Sequence, residues 1–395
     1  MIITTFEHAI LTQANFTHPT DFDWLIEQNF DGFGIGRKQQ QWQLKVSHYI
    51  GVIGLPSGNQ LEILPKISQV NNANAESIKQ TRQWLQRMLK DIWHTLTPKN
   101  LPNLAKQTPI NPQLPLNDWL AHAFWQGFQR YQPNRQYQGF EQNQPYLQGK
   151  LLVKQQLQHN HHQPHKFFHQ SEHFAVDTAC NQLIKATLRH LIGGLPPDLS
   201  RESCDWQAVS TILPSQYAQA FYQSQQELSA LPSTIAHHNA RLVAFCYALL
   251  TLTQASGQGQ SQSQALLINM QFAFEKWVGH QLKQSLTENA EVFEQFSQPL
   301  TLDKQLIMKP DILVKSQDTV KVMDIKWKTV RDVGDISLSD MYQLLTYASQ
   351  FGASEAWLIV PTLDKHKTRQ TINLTHANPT QFYLVPFWVL DDDKN

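Results

Sequence analysis

Asp311, Asp324 and Lys326 are the residues of this chain whose types and spacing best suit chemistry. They lie within LIMKPDILVKSQDTVKVMDIKWK, residues 306–328. On an extended strand alternate side chains share a face, so Val320, Val322, Asp324, Lys326 and Lys328 line one side, and Met323, Ile325 and Trp327 the other. The apolar neighbours mark a largely buried strand. Unpaired buried charge is costly, so the acid and the bases need a partner such as a metal ion. Asp311 follows Pro310 on the preceding strand, and a short turn, Lys315–Asp318, allows a hairpin to bring Asp311 beside Asp324. Two adjacent carboxylates repel unless a cation joins them, and hard oxygen donors favour Mg²⁺ or Mn²⁺. A cluster of this kind suits phosphodiester hydrolysis. The metal polarises the phosphoryl oxygen, acidifies a bound water and neutralises developing charge. Lys326 then orients the water or stabilises the pentacovalent phosphate.

Two helices must support that strand pair. In INMQFAFEKWVGHQL, Met270, Phe274, Val278 and Leu282 form an apolar stripe with Glu275 at its border. Gly279, one turn later, permits close approach, so Glu275 can point toward the strands as a third acidic ligand. In SDMYQLLTYAS, Gln343 and Tyr347 are four residues apart and share a face, placed to support the lysine or to contact a DNA backbone.

The surrounding elements form a compact α/β unit. A helix over 265–288 precedes strands near 291–300, 304–315 and 319–328, a helix over 337–351, and strands near 355–361, 370–375 and 382–389. Upstream, residues 1–70 read as β-rich. HYIGVIGLPSGNQLEILPKI (48–67) reads as a hairpin about Pro56-Ser57-Gly58-Asn59. A helix is predicted over 75–96 from the spacing of Trp84, Leu85, Met88, Leu89, Ile92 and Trp93, followed by a proline-rich connector over 98–116. Helices are expected over 117–133, 175–192 and, as a pair, over 214–253. The stretch 145–157 begins a new element. The segment 159–173, with His159, His161, His162, His165, His169 and His173, reads as a polar loop or helix start whose spacing matches no metal-ligand pattern. QASGQGQSQSQ (254–264) reads as a flexible loop. The fold class expected is multidomain α+β: a β-rich N-terminal region over 1–116, a mainly helical middle over 117–260, and a nuclease domain over 261–395.

Pro310-Asp311 followed by Asp324-Ile325-Lys326, with the upstream helical Glu275, resembles the PD-(D/E)xK nuclease pattern. Gln343-x-x-x-Tyr347 resembles the additional motif of its RecB-like branch. By that resemblance Asp311 and Asp324 are metal ligands, the Ile325 carbonyl is another, and Lys326 is the catalytic base or phosphate stabiliser. GVIGLPSGNQLEILPKI, YLQGKLL (146–152), and Glu172, Asp177 and Asn181 are similar to the McrC family, the nuclease subunits of the McrBC modification-dependent restriction systems. The similarity spans most of the chain, although only patches of it are specific. It implies a partner, the McrB-like AAA+ GTPase hexamer, contacted and stimulated by the N-terminal region. It also implies methylated double-stranded DNA as substrate, with the methylated base recognised by the partner. The chain has no GxxxxGK[ST] loop, so GTP would be used by the partner and not by this chain.

Bulk properties bound these readings. At 395 residues, 41% hydrophobic and 16% charged, the chain suits a folded protein of two or three domains. Its formal net charge of +0 neither supports nor excludes DNA binding, which needs only local Lys and Arg. Cys180, Cys204 and Cys246 are widely spaced, the opening MIITTFEHAI carries no secretory signal, and no apolar run spans a bilayer. An intracellular, cytoplasmic protein is the expectation. Two alternatives stand beside the restriction subunit. One is a self-sufficient RecB-like repair nuclease; the other is a non-catalytic adaptor of an AAA+ ring, with Asp324 and Lys326 kept as a structural ion pair.

Overall fold

The computed structural model describes residues 1–28, 30, 32–67, 74–93, 95–96, 108–191, 204–254, 265–285, 290–316, 319–376 and 378–390. The chain divides into two compact units, one of Met1–Lys99, Ala105–Leu120 and Leu252–Asn395, the other of Asn100–Leu104 and Ala121–Thr251. The first and last of the three expected regions therefore share a unit.

The first region holds strands β1 (Ile2–Phe6), β2 (Ile10–Leu11), β3 (Phe33–Lys38), β4 (Gln41–Val46), β5 (Tyr49–Gly54) and β6 (Gln60–Leu64), with helices α1 (Pro19–Gln28) and α2 (Ala75–Ile92). Helix α3 (Leu116–Phe128) follows. The middle contains β7 (Gln136–Gln144), β8 (Lys150–Leu151), α4 (Val153–His159), β9 (Phe167–Ala175), α5 (Ala179–His190), α6 (Tyr217–Ser229) and α7 (Ser233–Gln254). The last region runs β10 (Ala265–Asn269), α8 (Met270–Ser285), β11 (Glu291–Glu294), β12 (Gln298–Pro299), β13 (Ile307–Met308), β14 (Ile312–Lys315) and β15 (Val320–Ile325). It then continues through α9 (Leu338–Phe351), β16 (Glu355–Thr362), β17 (Gln370–Ile372) and β18 (Gln381–Trp388). A mixed α+β chain with several sheets matches the expected class.

The predicted hairpin forms: β5 and β6 pair antiparallel, Gly51 opposite Ile63. Its turn is held from outside, because the buried Asp21 of α1 accepts from Ser57 N (3.1 Å) and Ser57 Oγ (2.6 Å). β1 joins β6 in parallel, and β10 joins β5 antiparallel, giving the order β1-β6-β5-β10. Here the structure corrects the sequence reading: 265–269 is a strand, and the helix expected over 265–288 starts at Met270. ALLIN is an unbroken apolar run of strand length, and its pairing with β5 decides its conformation. Close approach of β10 needs Gly51, whose φ is 139° and whose position would set a Cβ 1.8 Å from Leu266 O. Beneath α2, the buried Glu62 carboxylate of β6 is satisfied by Arg82 (2.5 Å), Thr4 Oγ (3.0 Å) and Leu116 N (3.1 Å).

The second sheet of this unit has the order β11-β14-β15-β16-β18-β17. Its centre, β15-β16-β18, is parallel, and both flanks are antiparallel. Helix α9 makes the crossover from β15 to β16, packing Leu344, Tyr347 and Ala348 against Val322, Leu358 and Leu384. It starts at Ser337, whose side chain accepts from Asp340 N, and stops at Gly352, which takes the left-handed conformation with φ 58°.

In the other unit β7, β9 and β8 form a three-stranded sheet, and α5, α6 and α7 supply the helices expected there. His169 and His173 lie on β9, which corrects the loop or helix start predicted for 159–173. The ladder of β9 with β7 runs from Gln136↔Ala175 to Gln144↔Phe167, so backbone pairing organises a segment whose polar composition concealed it. The three cysteines are free and buried. Residues 98–107 of the proline-rich connector, 255–264 of the Gly/Ser/Gln tract and 317–318 of the turn before β15 lie outside the described residues. Among the described residues, no helix is long and apolar enough to cross a membrane.

Candidate active site

The ladder between β14 and β15 pairs Ile312 with Met323, so its next step sets Asp311 opposite Asp324. The expected juxtaposition of the two acids follows from this register. Asp311 does not extend the ladder by backbone: Pro310, without an N–H, breaks the pairing, and the Asp311 side chain takes over. Its Oδ2 accepts from Ile325 N at 2.7 Å. Asp324 is fully buried, and Lys326 Nζ sits 3.1 Å from its Oδ1 and 2.9 Å from its Oδ2. Oδ2 has this charge contact and no hydrogen-bond donor among the described residues, which leaves it able to take a further ligand.

Electrostatics follow from this crowding. Burial, reinforced by the nearby Glu275 charge, pushes Asp311 up to about 6, against the pull of the Ile325 N–H, Lys326 and Lys309. Burial likewise pushes Asp324 up to about 6; Lys326 opposes the shift and Asp311 adds to it. Burial would lower Lys326, but the facing Asp324 outweighs it and the ammonium is held more firmly than usual. Glu275, on α8, is raised by burial and hydrogen-bonded by Gln271. Gly279 gives α8 the expected close approach, a Cβ there lying 3.3 Å from a Glu294 carboxylate oxygen.

Gln343 and Tyr347 meet as expected. Gln343 Nε2 donates to Tyr347 Oη (2.9 Å), and that hydroxyl donates to Lys309 O (3.2 Å), bracing the segment that delivers Asp311. Lys328 is ion-paired to Asp340 of α9.

Sequence reasoning missed Gln271. Its Nε2 donates to Ile325 O (2.6 Å) and Glu275 Oε1 (2.7 Å), and its Oε1 accepts from Trp327 N (2.6 Å). The available signal was its place on α8, one turn before Glu275. Glu7 was also missed: its buried carboxylate accepts from Trp327 Nε1 at 2.8 Å and from Lys66 N at 3.0 Å.

The buried Asp324, the half-buried Asp311 and the Ile325 carbonyl make an all-oxygen donor set suited to a hard divalent cation. Among the described residues no group of three or more His, Cys, Asp or Glu side chains is arranged as a metal cage. An ion that uses one or two carboxylates and keeps several waters, as Mg²⁺ does, is the kind that such donors could hold.

The sequence model of the family described as McrBC 5-methylcytosine restriction system component matches residues 44–361. The chain belongs to this McrBC family. Among solved structures it is similar to a chain of the refined half-complex from a tetradecameric assembly of Thermococcus gammatolerans McrB AAA+ hexamers with bound McrC. The two are 16% identical with a TM-score of 0.52, over 98% of this chain and 94% of that one. At this identity the likeness shows a shared fold. A chain of the cryo-EM structure of the Thermococcus gammatolerans McrBC complex also matches, at 17% identity and TM-score 0.39, over 73% of this chain and 89% of that one. No curated protein matches.

Proposed function

We propose that the chain is an McrC-like DNA endonuclease subunit, hydrolysing DNA phosphodiesters with Mg²⁺ in company with an McrB-like AAA+ GTPase hexamer. The observation that carries this reading is the meeting of Asp311, Asp324 and Lys326 at the end of the β14–β15 ladder, inside a PD…DxK spacing. Membership of the McrBC family supports the restriction context. The likeness to a chain from an assembly of McrB hexamers with bound McrC supports the choice of partner.

Asp311, Asp324 and the Ile325 carbonyl would hold Mg²⁺, or Mn²⁺ in its place, with Glu275 as the additional acidic group. When bound, the cation supplies Lewis acidity toward the phosphoryl oxygen and the attacking water. The chain's residues do the rest. Burial excludes bulk water and strengthens every charge interaction at the site. Lys326, kept protonated by Asp324, presents a fixed positive charge to the phosphate and orients the water. Tyr347 and Gln343 hold the Lys309 carbonyl, and through it the approach of Asp311. The substrate is methylated double-stranded DNA.

The test is cleavage of methylated and unmethylated plasmid by the purified chain, with and without Mg²⁺, GTP and an McrB-like ring protein. Cutting that needs all three additions and favours methylated plasmid is the expected result. Cutting with Mg²⁺ alone would replace this reading with a self-sufficient nuclease; stimulation of the ring's GTPase without any cutting would leave only an adaptor.

A further inference from the structure

The catalytic strand loses its neighbour where the chemistry begins. Beyond Met323, the Ile325 N–H, the Ile325 carbonyl and the Trp327 N–H face the side from which the chain of β14 has turned away at Pro310. On the opposite side Lys326 N still pairs with Ile359 O of β16 at 2.9 Å. Two side chains continue the abandoned edge. Asp311 takes the Ile325 N–H, and Gln271 takes the two groups after it, its primary amide offering one donor and one acceptor as a residue of a parallel neighbouring strand would. The orientation of that amide is fixed by its partners. The Trp327 N–H can only donate, while the Ile325 carbonyl and the Glu275 carboxylate can only accept. Both Nε2 hydrogens and Oε1 are thereby used, at 2.6–2.7 Å.

From this geometry we infer that Gln271 is the positioning residue of the nuclease site, setting the peptide units on both sides of Lys326. The inference rests on the nuclease reading given above. One amide fixes the direction of the Ile325 carbonyl, whose second lone pair stays available to a cation, and the course of the backbone from which Lys326 projects toward Asp324. The same amide restrains Glu275. Three groups of the site thus take their orientation from a residue that touches neither metal nor phosphate.

The experiment compares the full-length chain with Gln271→Met, which keeps length and flexibility but offers no amide, and with Gln271→Glu, which keeps the acceptor for Trp327 N and loses both donors. Mn²⁺ binding is measured by electron paramagnetic resonance and plasmid cleavage is measured with the ring protein and GTP, while melting temperature reports folding. The expected outcome for Gln271→Met is a loss of about 10–100-fold in Mn²⁺ affinity and in kcat, with KM for DNA retained. Gln271→Glu should bind Mn²⁺ more weakly than wild type as well, because a carboxylate would face the Ile325 carbonyl. Mn²⁺ affinity and kcat at wild-type values in both variants would overturn the inference. So would a fall in activity matched by loss of folded protein in both, since Gln271 would then be merely structural. A wild-type chain that neither cuts nor binds Mn²⁺ would instead bring down the nuclease reading and the positioning role with it.

Discussion

Replacing Glu7 with glutamine should flatten the dependence of folding stability on pH. Glu7 follows β1 and is fully buried. Its Oε2 accepts from Trp327 Nε1 and Lys66 N, while its Oε1 accepts from no group among the described residues. Burial raises its pKa from 4.5 to about 7, the two donors offsetting part of the shift. The folded value therefore lies above the unfolded one, and the ionised form is the disfavoured one. The folded chain keeps a proton that the unfolded chain has released, so the group's favourable contribution is present at low pH and lost as pH rises through about 7. Linkage between these two pKa values makes that loss about 2 kcal/mol from about pH 5.5 to about pH 8. Glutamine sets a neutral oxygen before both donors. Whatever its extra amide hydrogens cost is the same at both pH values and cancels from the comparison. Thermal unfolding of both proteins at each pH is the assay. The melting temperature of the variant relative to wild type should rise by on the order of 4 °C between about pH 5.5 and about pH 8. Parallel pH profiles for the two proteins would refute the reasoning.

Lys326→Ala should abolish plasmid cleavage while leaving the chain folded, as circular dichroism reads it, and the stimulation of the ring's GTPase at wild-type levels; cutting at the wild-type rate would remove Lys326 from the mechanism. Gly51→Ala should destabilise the chain by about 3 kcal/mol or more, because a Cβ at φ 139° collides with Leu266 O, and denaturant titration measures it. Tyr347→Phe, which frees the Lys309 carbonyl, should lower kcat severalfold and change stability by only about 1 kcal/mol, read from steady-state cleavage and melting.

The acids and the lysine were legible in the sequence because their geometry is local. Strand alternation puts Asp324 and Lys326 on one face, and a hairpin register puts Asp311 opposite. The Gln343–Tyr347 pair was legible for the same reason, from helical spacing alone. Gln271 and Glu7 were not, since the backbone groups that Gln271 holds lie 54–56 residues away along the chain, and Lys66 and Trp327, which donate to Glu7, lie 59 and 320 away. A glutamine on a helix and a glutamate after a strand look ordinary until the chain closes. The strand at 265–269 was hidden by its apolar run, which suits a buried helix or a buried strand equally; Gly51, far upstream, decides between them. α1 and β7 were overlooked because the amphipathic pattern of one is short and the composition of the other is polar.

The pairing of β10 with β5 has a consequence for how this protein can be taken apart. The helix carrying Gln271 and Glu275 grows directly out of β10, and Trp277 of that helix stacks on Trp84 of α2 and donates to Asp91 at 3.0 Å. A fragment cut at residue 261 would carry Asp311, Asp324 and Lys326 but leave behind the floor they stand on. It would also bare one strand edge and the indole faces that Trp277 and Trp327 turn to Trp84. The candidate site is therefore not a cassette to be transplanted, and swaps between relatives should exchange both ends of the chain together.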